Sequence, residues 1–250
     1  MAKTNDIRLG DGTLIPILYE DRAVLAIDKP AGWMLAPNSW DRTTHNLQLA
    51  LESGLRGGAF WARCRNLRFL RFVHRLDADT SGLLLLAKSP GALRAFSQLF
   101  EGRRVEKTYL AVVEGVPTAK EWTCSLDLGS DPQVTGRMKV HGAEAREALT
   151  RFRVLEAGQE RALVLAQPET GRTHQIRVHL EAGGLPILGD RLYGRTKGHG
   201  SQIGLALRAV KLVYPDPFQK RPIYIEAPCG EFLRQFGFTV APFAARGPAS

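Results

Sequence analysis

The strongest constraint on the fold is a succession of short apolar segments set apart by turn signals, with no regular alternation of strand and helix. Residues 22–28 (RAVLAID) read as a strand ending in the turn Lys29-Pro30-Ala31-Gly32. Residues 68–74 (RFLRFVH) and 82–87 (GLLLLA) read as strands flanking the polar loop HRLDADTS. The segments 105–115 (VEKTYLAVVEG), 122–128, 146–155, 160–166, 203–214 and 222–227 are also strand-like. Helices are few. One is expected over 43–55, with a Thr start and a Gly stop near 54, and one over 90–101, with Ser89 as N-cap and Pro90 in the first turn. A short helix over 173–182 ends at Gly183-Gly184, and a last one covers 229–236. The pattern predicts an α+β protein with a large mixed, mostly antiparallel β-sheet flanked by a few helices. A single domain over 1–240 and a flexible tail at 241–250 are expected.

Composition removes several classes. A chain of 250 residues, 44% hydrophobic, builds a core without staples. The longest apolar run, LLLLA at 83–87, is too short to span a bilayer, and MAKTNDIRLGDG has no apolar signal region. The three cysteines (Cys64, Cys124, Cys229) are odd in number and form no C-x-x-C, which argues against a disulfide framework or a zinc site. There is no P-loop or dinucleotide fingerprint. The expectation is a cytoplasmic monomer with no metal, no nucleotide cofactor and no membrane partner.

Charge points to a polyanion. The net charge is +9. Residues 56–107 hold 11 basic and 4 acidic side chains, and residues 172–221 hold 9 and 3; the remainder is net acidic. Two solvated basic faces would give the same count, so distribution alone does not name the partner.

Three segments carry candidate chemistry. In HRLDADTSG (74–82), Asp77 sits in a loop between apolar strands, with Arg75 and Asp79 two residues to either side. An ordinary turn aspartate fits that spacing equally. In GRTHQIRVHL (171–180), His174 and Arg177 share a helix face, and the arginine has the reach to pair with a carboxylate; a basic outer face fits as well. In Lys107-Thr108-Tyr109 the two outer residues point to one side of a strand, and the tyrosine suits base stacking or half-buried core.

Taken together, HRLDADTSGLLLLAK (74–88), EKTYLAVVEG (106–115) and GRTHQIRVHLEAGGLPILGDRLYG (171–194) closely resemble the RluA-type pseudouridine synthases, and AVLAIDKPAG (23–32) resembles that family's first motif. After DKPAG the chain departs from the family: MLAPNSW (34–40) stands where an apolar-His-Pro stretch is usual. The resemblance implies isomerisation of uridine to pseudouridine in RNA, ribosomal or transfer, with no cofactor. It assigns Asp77 as the catalytic carboxylate, acting as nucleophile or as base on the ribose. It implies Arg177 pairing with Asp77, Tyr109 stacking on the target uracil, and Arg75 entering the stem vacated by the flipped uridine. It also assigns RNA contacts to His74, Lys107, Arg172 and His174. Two other readings are a non-catalytic RNA-binding or assembly factor and a hydrolase that removes a base.

If the basic blocks bind phosphates, log affinity for RNA falls linearly with log salt. Filter binding across low to moderate ionic strength measures the slope, and a flat line would refute the electrostatic reading.

Overall fold

A computed structural model describes residues 3–35, 45–195 and 203–239. The expected tail at 241–250, most of MLAPNSW and the start of the 43–55 helix lie outside the described residues. No helix among the described residues is long and apolar enough to cross a membrane.

The chain forms two compact units, residues 1–107 with 209–227, and 108–208 with 228–250. The first begins with β1 (Asp6–Arg8), β2 (Leu14–Glu20) and β3 (Val24–Lys29). It continues through α1 (Leu47–Arg56), α2 (Phe60–Arg63), β4 (Arg71–Phe72), β5 (Ser81–Ala87) and α3 (Pro90–Glu101). The chain enters the second unit within β6 (Glu106–Glu114). There follow β7 (Glu121–Cys124), β8 (Leu128–Ser130), β9 (Met138–Val140), β10 (Ala143–Arg146), β11 (Thr150–Ala157), β12 (Arg161–Pro168) and α4 (Gln175–Ala182). It returns through β13 (Leu207–Pro215) and β14 (Pro222–Glu226), and α5 (Gly230–Phe236) closes the second unit. This is the expected α+β architecture of antiparallel-dominated sheet with few helices.

In the first unit β1, β2, β3 and β5 pair antiparallel in that order, and β13 and β14 form a hairpin. The register of β3 on β5 runs from Val24 opposite Ala87 to Lys29 opposite Gly82. Leu83–Leu86 read as an unbroken apolar run because the strand is covered on both faces, each residue being at most 1% exposed. Helix α3 forms as its sequence foretells: Ser89 accepts from the Ala92 amide, Pro90 opens the first turn, and Ala92, Phe96 and Leu99 face the core. In the second unit β6, β12, β11 and β7 pair antiparallel, and β10, β8 and β9 form a separate three-stranded sheet.

Some boundaries differ from expectation. The 68–74 strand shrinks to β4, because Val73 and Leu76 turn inward to seat the following loop. Helix α1 is capped by Asn46, not a threonine, and passes through Gly54 to end at Gly57. Gly54 is a packing residue instead of a stop: a Cβ there would lie 2.7 Å from the Trp61 ring. The stretch 122–128 divides into β7 and the start of β8, while β11 begins at Thr150, not 146.

Gly82 is the tightest point of the first unit. Its φ is +108°, and a Cβ would stand 2.1 Å from the Ala209 carbonyl oxygen on β13. Gly82→Ala therefore combines a disfavoured backbone region with overpacking against backbone, and we expect it to destabilise the protein by about 3 kcal/mol or more in chemical denaturation. A loss below about 1 kcal/mol would mean that β13 yields easily.

Candidate active site

Asp77 lies half-buried in the loop between β4 and β5. Its carbonyl accepts the Thr80 amide at 3.2 Å, closing a tight turn, while Leu76 anchors the loop in the core. The next carbonyl, Ala78 O, accepts twice, from the Gly32 amide at 2.9 Å and from Lys29 Nζ at 2.7 Å. Lys29 is fully buried, and its ammonium also donates to Pro30 O at 2.9 Å. Burial pushes its pKa down to about 8, against the opposing pull of Asp79 and Asp77. The DKPAG turn and the Asp77 loop are thus one hydrogen-bonded unit. Sequence reasoning saw the turn but missed this lysine; the signal was a cation closing the strand run VLAID.

Three other predicted residues belong to the first unit. Arg75 is exposed. His74 stacks on Phe100 at 4.7 Å, and its Nε2 accepts the Leu85 amide at 3.1 Å. Burial, with Lys107 nearby, lowers its pKa to about 3, so the ring is neutral and braces the loop against β5. Lys107 is half-buried on β6, where burial first and Arg103 second lower its pKa to about 8.

Tyr109, Arg172, His174 and Arg177 belong to the second unit. Tyr109 is buried on β6 opposite Ala166 of β12. Helix α4 has no basic outer face: Gln175 through Leu180 are all buried. Two of its polar side chains, Gln175 and His179, meet Thr150 of β11. Gln175 accepts from Thr170 and from the Arg172 amide, and donates to Leu149 O and Thr150 Oγ1. His179 donates from Nε2 to Leu126 O, which leaves Nδ1 to accept from Thr150; burial lowers its pKa. The Arg172 side chain folds back onto Glu147 O.

His174 is the N-cap of α4, with φ +55°, and its Nδ1 lies 2.9 Å from the Tyr193 hydroxyl. Arg177 lies over the same tyrosine ring at 5.1 Å. The structure therefore brings His174 and Arg177 together, through Tyr193. Arg177 also makes a two-pronged pair with Asp190, Nε to Oδ2 at 2.7 Å and Nη2 to Oδ1 at 2.8 Å. Sequence reasoning missed Asp190, which reads in GDRLYG as an ordinary turn residue.

The Asp77 loop belongs to one unit, and the Tyr109 strand and the Arg177 helix to the other. The chain belongs to the RNA pseudouridylate synthase family, whose model matches residues 23–182. It is similar to an RNA pseudouridine synthase of Zymomonas mobilis, 37% identical over 226 residues, covering 89% of this chain and 97% of that protein. It is also similar to ribosomal large subunit pseudouridine synthase C of Vibrio vulnificus, 38% identical over 88% of this chain and 67% of that protein. Among solved structures, human RNA pseudouridylate synthase domain containing 1 superposes with a TM-score of 0.68 at 30% identity, covering 86% of this chain and 84% of that one. The family converts uridine in RNA to pseudouridine, so this protein is an isomerase.

If Lys29 fixes the loop, Lys29→Met keeps the volume but leaves Ala78 O with one donor. We expect the single-turnover rate to fall about 10-fold or more while RNA affinity changes little, because small displacements of a reacting group are costly. An unchanged rate in the folded variant would remove Lys29 from the positioning of Asp77.

Proposed function

We propose that this chain isomerises a uridine in structured ribosomal RNA, as a cytoplasmic monomer, with Asp77 as its catalytic carboxylate. The observation that carries the reading is the seating of the Asp77 loop: two donors lock the carbonyl next to it, and a buried ammonium supplies one of them. A turn aspartate with no task needs no such fixing. The ribosomal assignment is supported by the name of the Vibrio relative.

The reaction conserves mass. The bond between N1 of uracil and the ribose breaks, the base is rejoined through carbon 5, and a proton leaves carbon 5 as N1 gains one. Asp77 begins the reaction as a nucleophile or as a base on the ribose, and Arg177 supplies the opposing charge. Tyr109 stacks on the uracil and assists proton removal from carbon 5. Extruding the uridine costs a few kcal/mol of stacking. The exposed Arg75 is suited to offset that loss, since a guanidinium is planar and keeps its charge in the stem. Lys107, Arg172 and His174 contribute RNA contacts. His74 is neutral and contributes through loop geometry, not charge.

Asp77→Asn is nearly isosteric. We expect pseudouridine formation by the purified variant to fall at least about a thousandfold, with RNA affinity within about threefold of the parent, since an interaction made only in the transition state is removed. Turnover by Asp77→Asn would sink the assignment. Mapping pseudouridine in cells with and without the gene identifies the target: a lost site in ribosomal RNA supports the proposal, and loss confined to transfer RNA replaces that part of it.

A further inference from the structure

Arg177 and Asp190 are held far more closely than a stabilising ion pair requires. The Asp190 side chain is 0% exposed and that of Arg177 is 5% exposed. Asp190 Oδ1 also accepts the Leu192 and Tyr193 amides, at 2.9 and 3.1 Å, so the carboxylate cannot rotate away. The turn that carries it is equally confined. Gly194 donates to Asp190 O at 2.8 Å, and a Cβ on Gly194 would stand 2.3 Å from that oxygen. The Arg177 guanidinium carbon then lies over the Tyr193 ring, 5.1 Å from its centroid, with Arg137 over the same ring at 5.4 Å. Tyr193 is itself pinned at its hydroxyl, which accepts the Met138 amide at 2.9 Å and lies 2.9 Å from His174 Nδ1.

A buried ion pair is weak evidence of a stabilising role, because apolar residues of equal volume do as well or better. What an apolar pair lacks is the ability to hold a planar cation in one rotation. Asp190 fixes the Nε–Nη2 edge, and Tyr193 fixes the plane. Both constraints act on the group to which the isomerisation assigns the charge opposing Asp77.

We propose that Asp190 and Tyr193 are positioning residues for the isomerisation, which together set the rotation and plane of the Arg177 guanidinium. This rests on the reading above, in which Arg177 serves Asp77. Neither residue touches the substrate; each acts through the arginine.

The test uses the full chain and a structured RNA, with Asp190→Asn, Arg177→Lys and the double variant. Asparagine keeps an acceptor for the Leu192 and Tyr193 amides but loses the charge and the second prong. We expect the single-turnover rate of Asp190→Asn at saturating enzyme to fall about 30-fold with RNA affinity nearly unchanged, as loss of orientation predicts. The double variant should be no slower than Arg177→Lys alone, because residues acting as one unit are not additive. Tyr193→Leu should also slow the rate, and Tyr193→Phe, which keeps the ring, should recover most of it. A second readout needs no product: nitrogen NMR of the Arg177 side chain should show restrained guanidinium rotation in the parent and fast rotation in Asp190→Asn and Tyr193→Leu. Full activity in Asp190→Asn, additive losses in the double variant, or guanidinium rotation unchanged by the substitutions overturns the proposal. A parent enzyme that makes no pseudouridine strikes the functional reading instead, and the NMR arm still decides the positioning.

Discussion

One buried ammonium organises the first unit. Lys29 gives up its hydration to sit among the carbonyls of Pro30 and Ala78, at a cost visible in its lowered pKa. In return it joins two segments that lie 49 residues apart and fixes a loop that strand pairing alone would leave free at its tip. The pairing of Lys29 with Gly82 sets the far end of that loop, and the close approach of Gly82 to Ala209 fixes β13 beside it. The ordering entropy of the loop is thereby met in folding, not when RNA binds.

The second unit reaches rigidity by another route. Helix α4 is buried along most of its length, so its polar side chains have no water to turn to. Each finds a partner within the protein: Gln175 and His179 share Thr150, while Arg177 has Asp190 and Tyr193. The donors and acceptors alternate along the chain from Gln175 through Thr150 to His179 and Leu126, which assigns the histidine tautomer without ambiguity. Satisfied networks of this kind specify one arrangement strongly, because any slip leaves a buried polar group unpaired.

Much of this was legible in the sequence where burial dictates pattern. The apolar run of β5, the Ser89 cap and the Gly183 stop are local signals, and the structure places the elements there. The signals failed where position depends on distant residues. Strand β10 is exposed at every residue, so it shows no alternation, and β2 contains Pro16, which weakens a strand reading. Gly54 looked like a helix stop because nothing nearby announces the Trp61 ring that needs its missing side chain. For the site, spacing alone left Asp77 open between turn and catalyst, and only the resemblance chose. Lys29 and Asp190 escaped because their roles lie in partners 49 and 13 residues away.

The same distinction separates charge that is counted from charge that can attract RNA. In the block 56–107, Arg65, Lys88 and Arg71 are engaged by Glu20 and Glu52, and in 172–221 Arg177 is held by Asp190 and Arg208 by Pro228 O. Arg63, Arg68, Arg75, Arg94, Arg103 and Arg104 in the first block and Arg191, Lys220 and Arg221 in the second are exposed to the solvent that phosphates share. Net charge per segment therefore overstates the number of phosphates neutralised, and the salt slope reports the smaller figure. Lys107 adds a condition to that field. With its pKa lowered to about 8 by burial and Arg103, it is largely protonated at neutral pH and loses its charge as the solution turns alkaline. His74, one residue before the exposed Arg75 and three before Asp77, stays neutral down to about pH 3. Positive charge beside the Asp77 loop is thus supplied mainly by arginine, while the histidine is reserved for holding the loop in place.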